Sequence, residues 1–176
     1  EKLVSLVNNA MINGQNQYPH MAGVKELRDS IAEKMKTLYG HVYDADTEIT
    51  VTNGATEALM STILSMVHPG DEVIVIEPCY DSYVPCIKLA GGIPVFVPLS
   101  YSINESPAYA IDWNRVEDAI TAKTKLIILN FPHNPTGITL KETDLDAIEN
   151  IIKNRNIFLI ADEAYEHIVF DNKKFL

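Results

Sequence analysis

The chain has 176 residues, of which 47% are hydrophobic and 22% are charged, proportions typical of a globular rather than a disordered protein. The 24 Asp and Glu outnumber the 14 Lys and Arg, and the resulting net charge of −10 argues against binding to nucleic acid or to anionic membrane surfaces. No apolar run is long enough to span a bilayer, and we do not expect the first residues to form a secretory signal. The composition therefore favours a small-molecule partner, with no nucleic acid and no membrane involved.

Cys79 and Cys86 are the two cysteines of the chain, and their spacing fits neither a C-x-x-C pair nor a zinc site. We expect both to be buried, reduced thiols. We therefore expect a reducing compartment, the cytoplasm, and we predict no metal site.

The first predicted element is an amphipathic helix, because the apolar residues from Val24 to Leu38 recur every three or four positions until Gly40 ends the pattern. Short apolar runs then alternate with stretches of helical periodicity. The predicted strands are residues 49–52, 73–76, 93–97, 126–129 and 157–161. The predicted helices are residues 56–67, 81–89, 112–120 and 141–153, and residues 101–109 are predicted to form a longer surface loop.

Apolar strands separated by helices predict an α/β fold, in which a mostly parallel sheet carries helices on both faces. No repeat or linker divides the chain, so one domain is the simplest organisation. Ligands of such sheets bind at the carboxyl ends of the strands. Candidate site residues are therefore those that directly follow a strand.

The first such segment, residues 53–58, leads from a predicted strand straight into a helix. Its small residues, the helix N-terminus and the Thr56 hydroxyl are features that bind phosphate groups. On this segment alone, however, the favoured interpretation is a tight turn in which Asn53 caps the helix.

The second segment, residues 130–137, contains two prolines and a glycine that make a rigid loop. Such a loop can present the Asn134 side chain as a hydrogen-bond donor, and one of its X-Pro bonds is a candidate for the cis form. The alternative is a stiff connection without chemistry. We interpret His133 as a surface or packing residue, because no other ligand lies at a metal-binding spacing from it.

The third segment, Asp162-Glu163-Ala164-Tyr165, follows an apolar strand. It is not the magnesium-binding strand of a phosphate-loop NTPase, because no glycine of the chain precedes a lysine. The remaining interpretation is a carboxylate that pairs with a protonated ring nitrogen, with a phenol that reaches the same ligand. Other aromatic residues are predicted to serve in packing or at the surface: Tyr39, Tyr43, Tyr83 and Trp113.

Seven motifs of the chain stand in a characteristic order: N-Q-Y at 16–18, G-V-K-E-L-R at 23–28, G-A-T-E-A at 54–58, P-G-D-E-V at 69–73, E-P-C-Y at 77–80, N-P-T-G at 134–137 and D-E-A-Y at 162–165. Taken together, these motifs resemble class I aminotransferases of fold type I, and the resemblance covers essentially the whole chain in order and spacing. The residues around Tyr80 are most similar to the branch that contains methionine and kynurenine (glutamine K-type) aminotransferases.

The resemblance implies a pyridoxal-phosphate enzyme that transfers the amino group of an L-amino acid (methionine, aromatic or kynurenine-like) to a 2-oxo acid. Asp162 would face the ring nitrogen and keep it protonated. Tyr165 and Asn134 would donate hydrogen bonds to the ring 3-oxygen, and Tyr80 would stack on the ring.

The same resemblance assigns the cofactor phosphate to Ala55 and Thr56, and to Tyr18 reaching across to the neighbouring subunit, so a homodimer is expected. Two alternatives stay open. A carbon–sulfur lyase of the same fold shares these residues, and a non-catalytic regulatory module could bind the cofactor without chemistry.

In the family, a downstream motif carries the Schiff-base lysine, and no lysine of this chain matches it. We therefore predict that residues 1–176 are a partial cofactor-binding large domain with no catalytic residue of its own, inactive without the missing lysine and the small C-terminal domain. In particular, the motif is not matched at Lys88, Lys123, Lys125, Lys173 or Lys174.

Overall fold

The computed structural model describes residues 1–102 and 108–170, and these fall into two compact units, one of residues 1–54 and the other beginning at residue 55. Lys173 and Lys174, whose roles were considered above, lie outside the described residues. The interpretation of residues 1–176 as one partial domain stays a prediction.

The first unit contains two helices, α1 (Lys2–Ile12) and α2 (Lys25–Tyr39). The predicted helix is confirmed by α2, which ends where Gly40 takes the left-handed conformation (φ 71°) that closes many helices. Its Arg28 is 5% exposed, donates a hydrogen bond to the Gly23 oxygen at 3.2 Å and pairs with Asp46 at 3.0 Å. These bonds fasten α2 to the chain on both sides of it.

The strand predicted at residues 49–52 is wrong, because this segment is irregular. The Val51 N–H donates to the Ala22 oxygen at 2.9 Å, and a side chain at Gly23 would lie 2.7 Å from the Val51 Cβ. A short run of alternating apolar residues and threonines fits a packed loop as well as a strand, and here the segment packs closely against Gly23.

The second unit is built on a parallel sheet, as predicted, and this sheet has four strands. Its strands in chain order are β1 (Glu72–Glu77), β2 (Ile93–Pro98), β5 (Thr124–Asn130) and β6 (Phe158–Asp162), and their order across the sheet is β2-β1-β5-β6. The register places Ile127 of β5 opposite Leu159 of β6, and Asn130 opposite Asp162. Parallel strands connected by helices bring their carboxyl ends to one edge of the sheet.

Helices cover both faces of this sheet, which confirms the predicted α/β fold. They are α3 (Ala55–Met66), α4 (Tyr83–Leu89), α5 (Trp113–Asp118) and α6 (Glu142–Ile152). On one face Ile63 and Ile87 pack with Val73, and on the other Val116 and Ile148 pack with Ile74. The alternation of side chains along each strand separates these two cores.

Residues 101–109 are not simply a loop. Their described ends belong to two short strands, β3 (Ser100–Ser102) and β4 (Ala108–Ala110), which pair antiparallel with Tyr101 opposite Tyr109. Residues 103–107 between them lie outside the described part. In the ranges 1–102 and 108–170, no helix has both the length and the apolar character that crossing a membrane requires.

Candidate active site

One pocket of the second unit collects the residues at the carboxyl ends of β1, β5 and β6. Six of the seven predicted site residues line it, together with Leu59, Asn130 and Ala164. These six are Ala55, Thr56, Tyr80, Asn134, Asp162 and Tyr165. The seventh, Tyr18, is fully exposed in the first unit, and its role stays a prediction.

The N-terminus of α3 forms one side of this pocket, because the helix begins at Ala55. The first turn of an α-helix leaves backbone N–H groups without intrahelical acceptors and carries a partial positive charge. The Thr56 hydroxyl lies 3.3 Å from the Tyr80 hydroxyl, so both groups point to the same place. This side of the pocket can bind an anion even though the chain as a whole is acidic.

Asn134 and Tyr165 form a second polar group. The Asn134 side-chain amide donates to the Tyr165 hydroxyl at 3.3 Å, although 31 positions separate them. The loop that carries Asn134 has cis peptide bonds at Phe131-Pro132 and Asn134-Pro135, which confirms the expectation of a cis X-Pro bond there. Two donors from separate loops thus meet where a ligand oxygen can accept from both.

Asn130, which the sequence analysis left without a role, holds these loops together. It is 5% exposed at the end of β5, and its amide donates to the main-chain oxygen of Asp162 at 2.9 Å. Its side-chain oxygen accepts the Asn134 N–H at 2.9 Å. The sequence offered one signal for this role, because Asn130 is a polar residue that ends an apolar strand directly before the loop.

Asp162 is the carboxylate of the pocket, and its position is set by Tyr83. The Tyr83 hydroxyl donates to Oδ2 of Asp162 at 2.6 Å, and the Ala164 N–H donates to Oδ1 at 3.3 Å. Burial of the Tyr83 phenol, then the hydrogen bond and charge of Asp162, raise the Tyr83 pKa. The sequence predicted a role for Tyr83 in packing or at the surface; its 2% exposure agrees with packing, and the bond to Asp162 was not predicted.

His133 is buried, which agrees with packing, one of the two roles predicted for it. Its Nδ1 lies 2.7 Å from the Thr136 hydroxyl, and burial lowers the pKa of the imidazole. A neutral ring with a local partner belongs to the packing of the loop. Within the part of the chain that the structure describes, no cluster of three or more His, Cys, Asp or Glu could hold a metal ion.

The cysteines differ from each other. Cys86 is buried as expected, whereas Cys79 beside Tyr80 is only partly buried, because it follows β1 at the open edge of the sheet. Partial burial, followed by the charge of Glu77, raises the pKa of the Cys79 thiol. A thiol held protonated in this way is a poor nucleophile.

The pocket therefore combines an anion-binding helix terminus, an aromatic ring, two convergent donors and a carboxylate. This donor set fits pyridoxal phosphate, whose phosphate, ring face, 3-oxygen and ring nitrogen need those four partners.

Comparisons with known proteins agree with this geometry. The family model described as "Aminotransferase class I and II" matches residues 3–176. The chain is 42% identical, over 99% of its length, to the probable N-succinyldiaminopimelate aminotransferase DapC of Mycobacterium tuberculosis, and 45% identical, over 91%, to the methionine aminotransferase of Escherichia coli. It spans only 43% and 40% of these two proteins, less than half of their length.

Solved structures show the same likeness. The N-succinyldiaminopimelate aminotransferase of M. tuberculosis superposes with a TM-score of 0.94 at 42% identity, over 99% of this chain and 45% of that one. YbdL from E. coli, described as a methionine aminotransferase, gives 0.93 at 42% identity, with the same two coverages.

Proposed function

Because the chain belongs to the class I and II aminotransferase family, we propose that the protein is a pyridoxal-phosphate-dependent aminotransferase that moves an amino group from an L-amino acid to a 2-oxo acid. The members of this family to which it is similar depend on pyridoxal phosphate. The observation that carries the proposal is the gathering of Asp162, Asn134, Tyr165 and Tyr80 around one pocket at the carboxyl ends of the strands.

The amino donor that we propose is methionine or an aromatic or kynurenine-like amino acid. The similarity to the methionine aminotransferase of E. coli supports this choice, as does the 38% identity to a probable kynurenine–oxoglutarate transaminase of Saccharomyces cerevisiae. Relatives named for diaminopimelate derivatives and for aspartate are also similar. Methionine is the donor to test first, because the methionine aminotransferase of E. coli is 45% identical to this chain.

Bound pyridoxal phosphate supplies a ring that stabilises negative charge at the α-carbon of the substrate. The Asp162 carboxylate holds the proton at the ring nitrogen, since a negative charge favours the protonated form. Asn134 and Tyr165 donate to the 3-oxygen, and Tyr80 covers one face of the ring.

The phosphate is assigned to the first turn of α3. There the backbone N–H groups of Ala55 and Thr56 and the Thr56 hydroxyl offset the unfavourable charge of the whole chain. Tyr18 is proposed to bind the phosphate of a neighbouring subunit, so the working form is a homodimer. The low cysteine content favours the cytoplasm.

The lysine that attaches the cofactor and moves the substrate's α-proton is proposed to lie outside residues 1–176, which leaves this chain inactive on its own. Lys123 and Lys125 flank the start of β5, at the sheet edge opposite the pocket. Lys125 also lies over the Phe158 ring, 4.9 Å from its centroid. Lys88 belongs to α4.

Product analysis with the full-length protein, pyridoxal phosphate, methionine and a 2-oxo acid tests the proposal. We expect the keto acid of methionine together with the aminated acceptor, and strongly reduced turnover in Asp162→Asn. Asp118→Asn, at an exposed position of α5, is the matched control. Release of a thiol and ammonia without an aminated acceptor would instead identify the carbon–sulfur lyase.

A further inference from the structure

Tyr83 and Asp162 form the shortest polar contact to the carboxylate of the pocket. Tyr83 opens α4 after β1, whereas Asp162 ends β6, and the two residues are 79 positions apart. The Tyr83 side chain is almost completely buried in the core that α3 and α4 form on one face of the sheet. This packing holds its hydroxyl in one place. The bond to Oδ2, at 2.6 Å, has the length of a strong hydrogen bond to a charged acceptor.

The two oxygens of Asp162 are therefore not equivalent. Oδ2 is occupied by the Tyr83 hydroxyl, whereas the contact of Oδ1 with the Ala164 N–H, at 3.3 Å, is longer than usual for an N–H donor. A carboxylate with one oxygen fixed has a fixed plane, so the direction of the other oxygen is also fixed. Oδ1 is the oxygen that can accept a hydrogen bond from a ligand.

We propose that Tyr83 is a positioning residue, which orients Asp162 so that Oδ1 meets the protonated ring nitrogen of the cofactor. This inference rests on the proposed function. Because burial and the nearby carboxylate raise the Tyr83 pKa, the phenol stays a donor throughout the physiological range.

Tyr83 also contacts the residue proposed to cover the ring. Its ring meets that of Tyr80 edge to face, with 5.7 Å between the centroids and 81° between the planes. One short segment after β1 thus supports both the carboxylate and the aromatic partner. A role in packing alone would explain the ring contact but does not require the hydroxyl.

A double-mutant cycle separates these two roles. We would titrate pyridoxamine phosphate, which forms no covalent bond to lysine, into the full-length apoprotein as wild type, Tyr83→Phe, Asp162→Asn and the double variant. Tyr83→Phe should weaken binding about tenfold, as expected for loss of a hydrogen bond to a charged group. In the Asp162→Asn background the same change should alter affinity less than about twofold, because coupled residues are not additive. The absorption band of the bound ligand should change in Asp162→Asn, and in the same direction, though less, in Tyr83→Phe.

Tyr109→Phe, on the exposed strand β4, is the control and should leave affinity and spectrum unchanged. Equal losses from Tyr83→Phe in both backgrounds, or no loss in either, would overturn the positioning role while leaving the proposed function intact. Failure of the wild type to bind would overturn the proposed function itself. Should Tyr83→Phe not fold, alkaline titration of the tyrosines decides: Asp162→Asn must lower the pH at which Tyr83 ionises, and an unchanged titration contradicts the proposal.

Discussion

The buried Asn130 amide joins the end of β5 to the end of β6, because it donates a 2.9 Å hydrogen bond to the main-chain oxygen of Asp162, its neighbour in the sheet register. Its other end accepts the Asn134 N–H. One side chain thus ties the proposed ring-nitrogen partner to the loop that carries a proposed 3-oxygen partner. The geometry of the pocket depends on this link.

Replacing Asn130 with Ala removes both hydrogen bonds and leaves their partners unsatisfied. We expect the free energy of unfolding of this chain to fall by about 2–6 kcal/mol, since each of the two groups left without a partner costs about 1–3 kcal/mol. Urea denaturation measures the change. Asn114→Ala, at an exposed position of α5, is the control and should have little effect. Similar costs for both variants would contradict the linking role of Asn130.

His133 predicts how stability responds to acid. Because burial lowers its pKa in the folded chain, the unfolded chain binds a proton first as the pH falls below about 6.5. The contribution of the neutral ring to stability is therefore present above that pH and is lost as the pH falls toward the lowered pKa.

Urea denaturation at pH 7 and pH 5 tests this, with His133→Gln compared with wild type. The loss of stability between the two pH values should be smaller in the variant, which has no ring to protonate. His41→Gln, an exposed histidine that contacts Tyr43, should keep the wild-type loss. An unchanged loss in His133→Gln would show that other groups govern the acid response.

The Tyr83 phenol predicts how stability responds to alkaline pH. Its pKa is raised in the folded chain, so above a pH of about 10 the unfolded chain releases the phenol proton first and stability falls. Stability measured from pH 8 to pH 11 should fall less steeply in Tyr83→Phe than in wild type. Equal slopes would mean that the phenol ionises as easily in the folded state as in the unfolded one.

Gly92 tests the packing that positions α4. A Cβ at this position would lie 2.6 Å from Cγ1 of Val67 and 3.1 Å from Cγ2 of Ile87. Gly92→Ala should destabilise the chain by about 1–3 kcal/mol through overpacking. Adding Val67→Ala to Gly92→Ala should recover part of this cost, because it removes the methyl group that the new Cβ meets. If the effects of the two substitutions on the free energy of unfolding simply add, the clash is not the cause of the destabilisation.

The sheet and its helices could be predicted from the sequence because buried parallel strands are continuous apolar runs, as in residues 73–76 and 126–129, with helical periodicity between them. The run at 49–52, Ile-Thr-Val-Thr, alternates apolar residues with threonines, and it packs against Gly23 as irregular backbone. Helix α1 was not predicted, and its Glu1 provides no side-chain capping bond. The sequence analysis singled out seven site residues from the strand ends and the motifs, and six of them line one pocket.

The contacts that organise this pocket could not be predicted in the same way. The bond between Tyr83 and Asp162 joins residues 79 positions apart, and the direction of each side chain depends on the packing of α4 against the sheet. The sequence left Tyr83 either in packing or at the surface, and it did not show where the hydroxyl points.

The most direct test of the proposed function is peptide mass analysis of the full-length protein after incubation with pyridoxal phosphate and reduction with borohydride. We expect one pyridoxyl group on a single lysine outside residues 1–176, and a reduced yield in Asp162→Asn. A pyridoxyl group on a lysine within residues 1–176 would contradict the assignment of that lysine, and no labelling at all would contradict a pyridoxal-phosphate enzyme.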